Sequence, residues 1–171
     1  ATQLLLLAVF EAKPLGWDFV GLAWNSFSLA FLAAIVAVTL AIILSYAKRS
    51  KPIKPVRTAI AMAGFGYALP GTIIAIGVLI PLAWMDHGLI ALFESAGWDS
   101  PGLLLSGSLV ALLFAYTVRF LAVALGSVQS GLEKIKPSLD HAARSMGHSP
   151  LAILRKIHVP LMRSSILTAV L

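Results

Sequence analysis

The sequence predicts an all-α fold, a polytopic bundle of transmembrane helices. Three observations carry that prediction. Of its 171 residues, 59% belong to the set AVILMFWYC and only 12% are charged, against about 25% in a typical soluble domain; mean hydropathy is +0.93. Charge is also absent over long stretches: 29 residues separate Asp18 from Lys48, 28 separate Arg57 from Asp86, and 19 separate Asp99 from Arg119. A helix crosses the hydrocarbon core with about 20 residues at about 1.5 Å each, so three spans fit, near 25–47, 58–84 and 103–125. Finally, cations collect in alternate connections, as successive crossings of a membrane require. This composition excludes a disordered chain and an ordinary water-soluble globule. The absence of cysteine excludes disulfide scaffolds, thiolate metal sites and thiol chemistry.

Taken in order, Ala1–Phe10 is apolar and reads as the end of an earlier helix, a partial span at 1–10. No basic n-region precedes it, so it does not read as a signal peptide. Leu15–Trp24 suits an interfacial segment, with Trp17 and Trp24 at headgroup level. The first full span follows. Lys48, Arg49, Lys51, Lys54 and Arg57 then form an acid-free basic connection. Tyr67-Ala68-Leu69-Pro70-Gly71-Thr72 interrupts the second span, where Pro70 removes an i→i−4 hydrogen bond and Gly71 loosens the backbone beside it. In lipid such a break survives only where neighbouring helices or a cavity satisfy the freed carbonyls. It is either a hinge lining a pathway or a kink that improves packing.

The next connection, about 85–102, carries Asp86, Glu94 and Asp99 with no base, and Gly88–Trp98 reads as a short helix at the outer interface. Arg119 is the one charge inside a span. About six residues from the cytoplasmic end of its predicted helix, it can snorkel to the headgroups or, with Tyr116, face an anionic pathway. The third connection, about 126–160, is basic again, and the apolar stretch at 161–171 opens a further partial span. The whole reads as a piece of a longer membrane protein, truncated at both ends, with its basic loops in the cytoplasm.

The long basic loop is patterned. Ser138 is a suitable N-cap for a helix starting at Leu139, and Asp140 suits its positive end. Ala142, Ala143 and Met146 make a narrow apolar stripe. Gly147 falls where a left-handed residue ends such a helix. Ser149 and Pro150 then start a second helix, cap followed by first position. Leu151, Leu154 and Ile157 mark its docking face, Arg155 and Lys156 another, and Pro160 the turn into the last span. Two short helices joined at a glycine form a compact wedge on the cytoplasmic surface, a shape suited to being gripped by a partner.

Asp140-His141-Ala142-Ala143-Arg144-Ser145-Met146-Gly147, nine residues, then Ile157-His158-Val159-Pro160, resembles the EAA loop of ABC importer permeases, whose pattern is Glu-Ala-Ala, three residues, Gly, nine residues, Ile-x-Leu-Pro. Two positions depart: His141 occupies the Glu site and Val159 the Leu site. Asp140, next door, is the candidate replacement for the missing negative charge. Asn25-Ser26, the 67–72 segment and Arg119-Phe120-Leu121-Ala122-Val123-Ala124-Leu125-Gly126 are similar to the ferric-iron and thiamine type of these permeases. The resemblance covers roughly Gly21 to Leu171.

The resemblance implies the type I importer fold and a transport role without catalysis by this chain. ATP and Mg would be bound by a separate ATPase subunit, and no G-x-x-x-x-G-K-[ST] occurs here. Implied partners are that ATPase, a periplasmic or lipid-anchored solute-binding protein, a second permease half (fused or separate) and membrane lipid, with no nucleic acid. The implied location is the bacterial inner membrane, and the implied cargo is ferric iron, with thiamine, phosphonate or polyamine as alternatives. The implied coupling residues are Asp140, His141, Ala142, Ala143, Arg144, Gly147, Leu151, Leu154, Ile157 and Pro160. Those for a pathway or hinge are Tyr67, Pro70, Gly71, Thr72, Tyr116 and Arg119. Residues 138–158 alone would also suit a membrane-anchored helix-turn-helix DNA reader. His87, His141, His148 and His158 show no metal-ligand spacing, and His148 and His158 read as solvent-facing loop residues.

Overall fold

The computed structural model describes residues 17–100 and 102–171, and the apolar stretch at 1–10 lies outside them. Every regular element among the described residues is helical. In chain order they are α1 (Trp17–Ser50), α2 (Lys54–Ala68), α3 (Gly71–Ser95), α4 (Leu109–Glu133), α5 (Pro137–Ser145), α6 (Pro150–Ile153), a π turn (Leu154–His158), α7 (Val159–Leu161) and α8 (Arg163–Val170). Three segments are long and apolar enough to cross a membrane: Phe19–Ser50 within α1, all of α3, and all of α4.

α4 is the hub, with α1, α2, α3 and α8 all packed against it. The α1–α4 seam follows from small residues at every fourth position. Ala33, Ala37, Ala41 and Ser45 are each at most 4% exposed, and they let α4 approach through Ala124 and Val128. In lipid, where apolar burial drives little helix association, such close van der Waals packing is the main attraction between helices. Leu125, Leu132, Ile135 and Met162 close the core at the end where α1, α4 and α8 meet. The outward faces of α1 and α3 are lined by exposed apolar side chains, including Phe27, Phe31, Ile76 and Ile80. This arrangement suits hydrocarbon as the surrounding medium.

Helices run past the limits set by the charge-free stretches. α1 begins at Trp17, so the interfacial segment predicted at Leu15–Trp24 is, where described, continuous with the first span. α3 runs unbroken to Ser95, which absorbs most of the interfacial helix predicted at Gly88–Trp98. α4 continues through Gly126 to Glu133, so the loop expected from 126 starts at Lys134. The single span predicted at 58–84 is two helices. Leu69 (φ −84°, ψ 138°) and Pro70 (φ −55°, ψ 139°) are both extended, because a residue before proline is pushed out of the helical region.

α2 and α3 lie along successive parts of α4. Gly66 of α2 sits on the Val118 carbonyl, Gly71 of α3 lies under the Arg119 guanidinium, and Asp86 of α3 reaches the turn before α4. Asp86 was expected in an exposed acidic connection. It is instead fully buried, accepting bonds from Leu105 N–H at 2.8 Å, Ser106 N–H at 2.7 Å and Ser106 Oγ–H at 2.7 Å. Three donors offset the cost of taking a carboxylate out of water.

Candidate functional site

The segment from Lys134 to His158 forms a knob at the end of the bundle where α1 and α4 both terminate. α5 opens with Lys136 as its N-cap and Pro137 in its first turn. Ser138, the expected cap, is inside the helix and makes no capping bond, because Pro137 supplies the helical φ one residue earlier. The helix ends as its sequence requires. Gly147 has φ +80°, Gly147 N–H donates to Arg144 O at 2.9 Å, and His148 N–H donates to Ala143 O at 3.1 Å. That pair of bonds is a Schellman cap. Ser149 Oγ then accepts from Ala152 N–H at 3.3 Å and starts α6, with Pro150 at its first position.

The second half of the knob departs from the predicted face. Leu151 is 71% exposed, whereas Ile153 is 1% exposed and His158 fully buried. From Ile153 onward the register is set by a π turn, in which Val159 N–H bonds back to Leu154 O. Five-residue bonding inserts one residue into the helical register, so positions 153 and 158 share the buried face while Leu154 and Ile157 are half-buried. Pro160, expected to mark a turn, is exposed within α7, and the chain stays near-helical beyond it through Met162 N–H to His158 O at 2.9 Å.

What holds the knob is a polar clamp centred on Asp140. Arg49, at the end of α1, donates through Nε to Asp140 Oδ2 at 2.8 Å. Its two terminal nitrogens donate to Leu132 O at 2.6 Å and Ile135 O at 2.8 Å. One planar guanidinium thus ties α1, the end of α4 and α5 together, a task its fixed fork of donors suits. His158 Nε2–H donates to Asp140 Oδ1 at 2.6 Å. Its Nδ1 is buried without a partner. Tyr46 completes the clamp: its hydroxyl donates to Pro150 O at 2.7 Å, and its ring meets the His158 ring edge-on at 5.4 Å.

Burial acts to raise the Asp140 carboxyl, but hydrogen bonds and charge from Arg49 and His158 outweigh it and hold the group below the usual carboxylate range. Asp140, expected to offer its charge outward, is therefore spent internally. His158 is not a solvent-facing residue. Ala143 is buried (1%), and the outward surface around α5 and α6 includes His141, Ala142, Arg144, Met146 (70% exposed) and Leu151. Sequence reasoning missed Arg49, Tyr46 and His158 as site residues. One signal for Arg49 was available: it continues the series Ala33, Ala37, Ala41, Ser45 that marks the inward ridge of α1.

The residues predicted for a pathway or hinge come together in part. Leu69 and Pro70 form the break, Gly71 begins α3 directly after it, and the Arg119 guanidinium lies against Gly71. Arg119 is near the middle of the 25-residue α4, 14 residues before its last residue, Glu133. Its guanidinium sits 5.8 Å from the Phe120 ring centroid, and the Tyr116 and Phe120 rings are 6.2 Å apart. Tyr67 and Thr72 are exposed and take part in no side-chain hydrogen bond among the described residues. Among those residues, no three His, Asp or Glu side chains converge as a metal site. No family model matches the chain, and no curated protein and no solved structure matches it.

Proposed function

We propose that this chain is a membrane-spanning permease subunit of an ATP-driven, binding-protein-dependent importer, and that the knob is the part through which a separate ATPase acts on it. One observation carries the reading. The segment with EAA-type spacing is a capped, two-helix projection whose inner side is clamped to both α1 and α4, while Arg144, Met146 and Leu151 face outward. A loop serving only as a tether has no need of a clamp.

The mechanism follows from what the chain lacks and what it has. It has no phosphate-binding loop, so its energy arrives mechanically. ATP draws two ATPase subunits together, a cleft on each grips a knob, and the clamp passes the displacement to α1 and α4. The exposed Met146 and Leu151 supply apolar contact, and Arg144, Arg155 and Lys156 pair with acids around that cleft. The solute arrives from a periplasmic or lipid-anchored binding protein. Ferric iron is the first candidate cargo, ahead of thiamine, phosphonate or polyamine. Location in a bacterial inner membrane follows from the same reading, with both basic segments, 48–57 and 134–163, in the cytoplasm.

The test is site-directed cross-linking of the intact complex. A cysteine at Met146 or Leu151 should cross-link to a nucleotide-binding subunit, and one at Trp98 should not. Labelling of residues 137–158 only from outside the cell would overturn the reading.

A further inference from the structure

We propose that a cavity between the end of α4 and the start of α8 binds the headgroup of an anionic phospholipid. The cavity holds about 350 Å³. Its polar lining is Lys134, Lys136, Ser164 and Ser165, with no carboxylate. Neither lysine belongs to the ion pairs found among the described residues, both of which use Asp140. Two ammonium groups and two hydroxyls are donors that match the oxygens of a phosphate. Gly131 lines the cavity where α4 and α8 approach closely, and a Cβ there would come within 2.8 Å of Ser165.

A phosphate alone would leave half of the lining unused. Leu139 and Leu161 are 44% and 58% exposed and flank the cations, with Ile135 behind them. A polar lining beside an exposed apolar wall suits an amphiphile, with its phosphate on the lysines and its glycerol and upper acyl carbons on the leucines. The location agrees. The cavity lies at the polar end of α4, a helix long and apolar enough to cross a membrane. At that depth a basic pocket between helices meets lipid headgroups, and anionic lipid is concentrated there by its own attraction to nearby lysines. The inference rests on the membrane placement in the preceding reading and needs neither the ATPase nor the cargo.

The experiment uses the full chain purified from membranes in mild detergent, with lipid retention measured by native mass spectrometry. Phosphatidylglycerol should be retained, phosphatidylcholine should not, and millimolar inorganic phosphate should fail to displace the lipid. Lys134→Gln/Lys136→Gln should weaken retention by about thirtyfold, whereas Lys51→Gln/Lys54→Gln, on the other basic connection, should change it less than about twofold. Leu139→Glu, at an exposed position, provides a second variant that places a carboxylate beside the lysines; it should weaken retention at least as much. Equal retention of the two lipids, full displacement by phosphate, or an unchanged double-glutamine variant would each overturn the proposal. Membrane fractionation separates the two readings: a chain found in the soluble fraction defeats the membrane placement itself, and a membrane-bound chain without lipid preference defeats only the cavity.

Discussion

Replacing Arg49 by Gln tests the clamp at its most connected member. The substitution removes a cation that bonds one carboxylate and two backbone carbonyls, at 2.6 to 2.8 Å. Hydrogen bonds to a charged group are worth about 1.5–3 kcal/mol each when net. Breaking a fully buried ion pair from one side costs about 3–5 kcal/mol. Here the side chains are 17% and 13% exposed, so water replaces part of what is lost, and about 3 kcal/mol for the whole set is a reasonable figure. At about 1.4 kcal/mol per tenfold, the fraction of molecules with an undocked knob rises about a hundredfold.

Amide hydrogen exchange in detergent reads that fraction directly. Exchange across α5 and α6 should speed up about a hundredfold, while amides of α4 around Thr117 to Val128 keep their protection. Arg49→Lys should recover only part of the loss, because one ammonium cannot span three acceptors. A double-mutant cycle with Asp140→Asn should show a coupling of about 1–3 kcal/mol. If Arg49→Gln left exchange over 139–153 within threefold of the wild type, the clamp would not be what holds the knob, and the mechanical reading would lose its support.

Four further outcomes follow from particular contacts. Because the folded-state pKa of Asp140 is depressed, docking stability should be fully present above the ordinary carboxylate value of about 3.9 and disappear as pH falls through the lower folded value, seen as accelerated knob exchange at acid pH. Gly147→Asn should be tolerated, but Gly147→Val should fray the end of α5. No neighbour lies within 4 Å of a Cβ at Gly147, so the cost is conformational, about 1–2 kcal/mol for a left-handed L-residue, and exchange at Gly147 and His148 reports it. Asp86→Ala should lower the thermal unfolding temperature more than Asp86→Asn, since it leaves the Leu105 and Ser106 amides without the acceptor that the carboxylate supplies. Gly66→Ala should destabilise by about 1–3 kcal/mol because a backbone carbonyl, Val118 O, blocks the new methyl, whereas Gly77→Ala, in open space, should be neutral or stabilising in the same melting assay.

The three spans were legible because lipid imposes a coarse rule on sequence: a long stretch without charge. Their ends were not, since that rule marks the limit of hydrocarbon and not the limit of helix. α4 passes Gly126 and Gln129 without a break because nothing there caps it, and it stops only where Pro137 lies ahead. Local signals fared better where they were stereochemical. Gly147 and the Ser149–Pro150 pair each imposed the predicted cap. The clamp was hidden for a different reason. Arg49 and Asp140 are 91 residues apart in sequence and Asp140 and His158 are 18 apart, and each alone looks like an ordinary surface charge or loop histidine. The buried face beyond Ile153 was misjudged because a π turn cannot be read from a period of 3.6; only Pro160, whose missing N–H is tolerated where the register changes, hinted at it.

The distribution of stiffness along this chain bears on how force would travel through it. At the knob, one arginine, one aspartate, one buried histidine and one tyrosine bind α1, α4, α5, α6 and the π turn into a single body. At Leu69 and Pro70 the opposite holds. Two successive extended residues separate α2 from α3, and the contacts on either side, Gly66 on Val118 and Gly71 under Arg119, depend on the absence of side chains. On the proposed function, a push on the knob would be tied to α1 and α4 by this clamp, whereas α2 and α3 are joined only through the extended pair beside Arg119.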